Sequence, residues 1–112
     1  MRSNAKRTTF KGIPFKSKLE ADYAHYLEIL RLGKEVKSWE YEGKNCCFRL
    51  IVNGFDVGGY TIDFKVVYTN GVIELVEVKG YETPIWRIRW KLLKACYPGE
   101  NFKLIKKVPK IR

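Results

Sequence analysis

Asp63, Glu77 and Lys79 stand at the two ends of one apolar stretch, DFKVVYTNGVIELVEVK, residues 63–79. Two carboxylates brought close together repel unless a cation sits between them, and a hard divalent ion such as Mg²⁺ prefers carboxylate and carbonyl oxygens plus water. A lysine on the same face can hold a water or stabilise charge developing on a phosphate. The same three residues can also be a solvated sheet face with a cross-strand ion pair, since Glu-x-Lys on a strand is a weak signal by itself. The choice depends on whether the chain brings the three groups together.

The stretch reads as two strands and a turn, with strands at 60–68 and 72–79. Side chains alternate along a strand, so Glu77 and Lys79 share a face. Asp63 joins them only in one register. A three-residue loop, Thr69-Asn70-Gly71, sets 68 against 72, and then 63 faces 77, 65 faces 75 and 67 faces 73. That loop wants a left-handed residue at its end, where Gly71 sits. A two-residue Asn70-Gly71 loop also suits the sequence and puts Asp63 opposite Val78, on the other face. A bulge could shift the phase again.

The remaining elements follow from caps and periodicity. Residues 1–16 read as a basic arm with a turn at Gly12-Ile13-Pro14, and 17–112 as one domain. SKLE at 17–20 is a capping box: Ser17 can accept from the Glu20 backbone, and Glu20 can reach back. Leu19, Tyr23, Tyr26, Leu27 and Leu30 form the expected buried stripe of the helix that Gly33 ends. Residues 36–42 are extended, CCFRLIV (46–52) is a strand, and NGFDVGG (53–59) is a turn-rich connection. Thr83-Pro84 starts a second helix, which stops at YPG (97–99). Its expected apolar stripe is Ile85, Ile88, Leu92 and Cys96, and its basic stripe is Arg87, Lys91 and Lys94. Trp86, Arg89 and Trp90 fit neither stripe; the tryptophans suit core, a dimer contact or base stacking. FKLIKKV (102–108) is a last strand. The order helix, three strands, helix, strand predicts an α/β (α+β) fold, a mixed sheet flanked by helices.

Composition narrows the function classes. At 112 residues and 46% hydrophobic, the chain can build a core as a single domain. No apolar run reaches the roughly 20 residues of a membrane span. The odd set Cys46, Cys47 and Cys96, without CxxC spacing, argues against a disulfide framework and a zinc site. His25 stands alone and reads as an ordinary helix residue. Formal net charge is +10, from 22 Lys+Arg against 12 Asp+Glu. It is unevenly spread: residues 1–18 hold six basic groups and no acid, and residues 84–112 hold nine and one, leaving the middle net acidic. Basic ends suit a polyanion such as nucleic acid. Lys6, Arg7, Lys11, Lys16 and Lys18 at one end, and Arg87, Lys91 and Lys94 on the second helix, are the candidate DNA contacts, with Lys91 placed nearest the acids.

Taken in order, SKLEADYAHYLEIL, then YTIDFKVVYTNGVIELVEVKG, then a helix ending in YPG and a strand FKLI, resemble the PD-(D/E)XK nuclease superfamily. More narrowly, they are similar to small phage-encoded endonucleases of the Holliday-junction-resolvase-like type, over roughly residues 10–106. The resemblance implies a restriction-endonuclease-like α-β-β-β-α-β core and Mg²⁺- or Mn²⁺-dependent cleavage of DNA phosphodiesters. It carries the motif's Asp onto Asp63, its Glu onto Glu77, its Lys onto Lys79 and the helix acid onto Glu20, although Ile62 stands where the motif has proline. The implied ligands are Asp63, Glu77, the Val78 carbonyl and Glu20, with Glu20 also open to a purely capping role. Junction resolution further implies branched DNA as partner, a homodimer with two sites, and the cytoplasm of a bacterial or phage-infected cell. A nicking or transposition-associated nuclease on the same fold, or a non-catalytic DNA-binding module, are the competing readings. An RNA binder stacking bases on sheet aromatics lacks the expected aromatic and glycine pattern.

Overall fold

The computed structural model describes residues 8–111. Short strands Thr8–Phe10 (β1) and Ile13–Phe15 (β2) form a hairpin on a two-residue turn, Lys11-Gly12, with both residues in the left-handed region. Where the sequence reads as a basic arm, residues 8–15 are thus folded: Phe15 is fully buried, and Phe10 and Ile13 pack beside it. The six strand residues are too few, and too closely hemmed by the basic residues Arg7, Lys11 and Lys16, for a period to stand out.

Helix Lys18–Leu32 (α1) starts on Ser17, whose Oγ accepts from the Glu20 N–H (3.1 Å), and ends at Gly33. Val36–Tyr41 (β3) follows, then a single 3₁₀ turn at Lys44–Cys46. Cys47–Val52 (β4) and Phe55–Thr61 (β5) pair as a separate two-stranded hairpin. Residues 55–59 are therefore strand, against the expected turn-rich connection. Only Asn53-Gly54, at φ 49° and 82°, makes the turn. The glycines behind it are a bulged strand: pairing shifts between Leu50 and Ile51, and Gly58 takes φ 134°. The expected strand at 60–68 is likewise two strands, broken at Ile62-Asp63.

Phe64–Tyr68 (β6), Ile73–Val78 (β7), helix Pro84–Cys96 (α2) and Phe102–Ile105 (β8) complete the chain. The main sheet runs β3-β6-β7-β8. The first two pairings are antiparallel, and β7-β8 is parallel across the α2 crossover. Along the chain the main-sheet elements and helices thus run α1, β3, β6, β7, α2, β8, and the expected strand at 46–52 lies outside that sheet, in the β4-β5 hairpin that follows β3.

Two apolar clusters sandwich this sheet. Under α1, Tyr23, Ala24 and Leu27 meet Phe64, Val66, Val76 and Val78. Under α2, Trp86, Trp90 and Leu93 meet Leu50, Tyr60, Ile62 and Leu75. The chain passes from one cluster to the other between Ile62 and Phe64, across Asp63.

The buried stripe of α2 corrects the sequence reading. Ile85 and Ile88 are 73% and 67% exposed, and Leu92 and Cys96 are half-buried. The stripe 86, 90, 93 is equally helical in spacing, and its two indoles remove more apolar surface from water. Trp86 Nε1 also donates to Tyr60 Oη (2.8 Å), which satisfies both polar tips. Trp90→Ala should therefore cost about 3–5 kcal/mol, while Ile88→Ala should stay within about 0.5 kcal/mol. Urea unfolding of the two variants separates the stripes; equal costs would contradict this packing.

Candidate active site

The hairpin β6-β7 pairs Phe64 with Val76, Lys65 with Leu75 and Val67 with Ile73. This is the three-residue register. Gly71 takes φ 93° and donates to the Tyr68 carbonyl (3.0 Å), while Tyr68 N–H donates to the Val72 carbonyl (2.8 Å). Asp63 therefore faces Glu77. On the other side of Asp63, β3 pairs Tyr41 with Phe64, so the next position, Glu42, lies beside Asp63, and the Glu42 N–H donates to the Asp63 carbonyl (2.8 Å). The N-terminus of α1 brings in Glu20. Asp63, Glu77 and Glu20 are 4%, 6% and 5% exposed, far more buried than unpaired carboxylates ordinarily are.

These groups line an open cleft of about 320 Å³ with Lys16, Ser17, Val78, Lys79, Gly80 and Tyr81. Asp63 Oδ2 accepts from the Val78 N–H (2.7 Å), which fixes its rotamer. Among the described residues, the buried Glu77 Oε1 has no hydrogen-bond partner. Glu20 does not close the capping box with its side chain; its Oε1 accepts from Tyr41 Oη (3.2 Å). The Lys79 ammonium lies over the Trp86 ring, 5.3 Å from its centre.

Burial, and then the facing Glu77 charge, push the Asp63 carboxyl up to about 8. Burial pushes Glu77 up to about 7, and the Lys79 charge and the nearby Tyr60 and Trp86 dipoles pull it only part of the way back. A buried pair in this condition is costly when ionised and suits a positive charge placed between its oxygens. The donor set of carboxylates and backbone carbonyl, with an orphaned buried Glu77 oxygen, fits Mg²⁺ or Mn²⁺ better than a softer ion. A larger hollow of about 490 Å³ beside Glu28 offers no such vacancy in bonding: Glu28 accepts from Arg31 (2.7 and 2.8 Å), Lys11 (2.9 Å) and Trp39 (3.0 Å).

Of the candidate DNA contacts, Lys6 and Arg7 lie outside the described residues. Lys11 is paired with Glu28, Lys18 with Asp22 and Arg87 with Glu82. Lys94 lies over the Trp90 ring (5.4 Å), and Lys91 is exposed on α2 and does not line the cleft. Lys16 does line it, with its Nζ ion-paired to Glu42. The sequence reading missed Glu42 and Tyr41. Their only signal was counting back from Asp63 along a β3-β6 pairing, and nothing in the sequence says that β3, rather than the strand at 46–52, borders β6.

A family model described as a protein of unknown function (DUF1064) matches residues 1–112, and the chain belongs to that family. No curated protein and no solved structure matches it.

Proposed function

We propose that this member of the family is a metal-dependent, structure-selective DNA endonuclease that hydrolyses phosphodiester bonds, and that its substrate is a Holliday junction. The observation that carries this reading is the buried, directly opposed pair Asp63 and Glu77, one oxygen of which lacks a partner, with Lys79 lining the same cleft. The order α-β-β-β-α-β around that pair supports a PD-(D/E)XK core. A pure DNA-binding module has no use for carboxylates buried at such cost.

Asp63, Glu77, the Val78 carbonyl and Glu20 would hold Mg²⁺ or Mn²⁺. When bound, the ion would supply Lewis-acid stabilisation of the phosphate and a water of lowered pKa. The protein's own part is positional. The Val78 N–H holds the Asp63 carboxylate in one rotamer. Lys79, which lines the cleft and rests its ammonium over Trp86, would turn that charge to a water or a phosphate oxygen. Tyr41 orients Glu20. The exposed cations of α2 bind phosphates beyond the cleft, so affinity for DNA should fall steeply with salt. Paired cuts across a junction require two sites related by a two-fold axis, hence a homodimer.

The test incubates the protein with labelled four-way junction and matching linear duplex, in Mg²⁺ or EDTA. Symmetric paired nicks in the junction alone, lost in EDTA, are the expected result. Cleavage of duplex as well would move the reading to a nicking nuclease. Tight binding of both DNAs without cleavage under any divalent ion would leave a DNA-binding module.

A further inference from the structure

We propose that Glu42 is a further carboxylate of the cation site, and that the Lys16 ammonium competes with a divalent ion for it. The inference deepens the nuclease reading and rests on it for the identity of the ligand.

Glu42 reaches this place by register. It follows β3 opposite Asp63, as Glu77 stands opposite Asp63 on β7, so one buried aspartate is flanked on both sides by glutamates. Its backbone is left-handed, φ 48°, a conformation that a non-glycine residue adopts at some cost and that recurs where function constrains the chain. One oxygen each of Glu20, Glu42 and Asp63 lies within 4.8 Å of the others. Ligand oxygens around one ion, each bound at about 2.0–2.6 Å, have separations up to this order.

Acidic clusters often exist without ions, but two further observations point to a ligand here. Among the described residues, the buried Glu77 Oε1 on the far side of Asp63 has no partner, and Glu77 lines one cleft with Glu20, Asp63 and Lys16, the residue paired to Glu42. A cation is also already engaged with Glu42: the Lys16 Nζ is paired to it and feels the charges of Asp63 and Glu20. Lys16 is delivered by the β1-β2 hairpin, immediately after buried Phe15, and its backbone N–H donates to Tyr41 Oη (3.4 Å). Its main chain is thus anchored while its side chain remains 59% exposed and free to swing.

A lysine ammonium and a divalent ion cannot hold the same Glu42 oxygens. In the metal-free protein, Lys16 offsets part of the carboxylate repulsion. When an ion takes the oxygens, Lys16 is released to the rim, where an incoming phosphate can accept its charge. Metal entry and phosphate capture are then coupled through one side chain.

The experiment titrates Mn²⁺ calorimetrically, at pH 7.5 without DNA, into the full chain and into Glu42→Gln, Lys16→Met, Lys16→Arg, the Lys16→Met/Glu42→Gln double variant and Asp63→Asn. Glu42→Gln should weaken Mn²⁺ binding by about tenfold. Lys16→Met should tighten it about two- to fivefold, Lys16→Arg should leave it near wild type, and the gain should vanish in the double variant. Unchanged or weaker binding in Lys16→Met, or unchanged binding in Glu42→Gln, overturns the proposal. If Asp63→Asn alone abolishes binding, only this inference is lost; if wild type takes up no Mn²⁺, the nuclease reading fails with it. Lys16 and Glu42 lie at the rim, while Asp63 is buried, and thermal melts of each variant confirm that it is folded.

Discussion

Asp63→Asn should abolish DNA cleavage, by about a thousandfold or more, and at the same time raise the melting temperature of the metal-free protein at pH 8. The two effects have one cause. Asp63 is 4% exposed and faces Glu77 across the β6-β7 pair. At pH 8 the pair carries buried negative charge that Lys79 and Lys16 offset only in part, and among the described residues Glu77 Oε1 has no partner. The asparagine oxygen can still accept from the Val78 N–H, so the rotamer is kept. Its amide nitrogen can donate toward Glu77, which turns repulsion into a hydrogen bond. The gain should be roughly 1–2 kcal/mol. The same change removes the charge a divalent ion needs and leaves the cleft shape intact. A melt and a cleavage assay on one preparation check both halves. A variant that is less stable and still active would mean that Asp63 is a packing residue, whereas lost activity with lowered stability would mean misfolding.

That opposition of stability and activity also explains what the sequence made legible. Asp63, Glu77 and Lys79 could be picked out because charged residues bounding an apolar hairpin conflict with local patterning, and such conflicts mark sites. The turn residue Gly71 favoured the register now seen at φ 93°, but Asn70-Gly71 allowed another, and only the pairing of Phe64 with Val76 decides between them. The caps Ser17 and Thr83 fixed both helix starts, because a cap is a local bond and needs no tertiary information. What was hidden depended on long-range packing. Ile85 and Ile88 offered a stripe as regular as Trp86, Trp90 and Leu93, and the choice belonged to Tyr60 and Leu50, which lie far off in sequence. Phe55 and Val57 are 73% and 54% exposed, so the β4-β5 hairpin has no strong alternation at its tip to announce it. Glu42 comes to lie beside Asp63 only through the neighbour that β3 chose.

Divalent-ion affinity should climb with pH by about 10- to 100-fold per unit between pH 5 and 7 and level off above about 8. The sign follows from the protons. Burial and mutual repulsion raise the Asp63 carboxyl to about 8 and the Glu77 carboxyl to about 7. Below those values the folded, metal-free protein holds protons on the pair, and an ion must displace them; one proton released gives the lower slope and two the higher. In the unfolded chain both groups ionise near 4. Between about 4 and 8 the folded state therefore binds more protons than the unfolded state, and metal-free stability must fall as pH rises. Most acidic sites behave the other way, because an ion-paired carboxylate has its pKa lowered and loses stability as pH falls. Glu28, held low by Arg31 and Lys11, is that ordinary case in the same protein, and its contribution is lost only in acid. Melting the metal-free chain from pH 5 to 8 should show the decline, and adding Mg²⁺ should restore more at pH 8 than at pH 6. Asp63→Asn should flatten the metal-free decline by removing the higher of the two titrations. An affinity that stayed flat from pH 5.5 to 7.5, with proton release near zero in calorimetry, would mean that the carboxylates are already ionised and paired, and that the cleft is not poised for a metal.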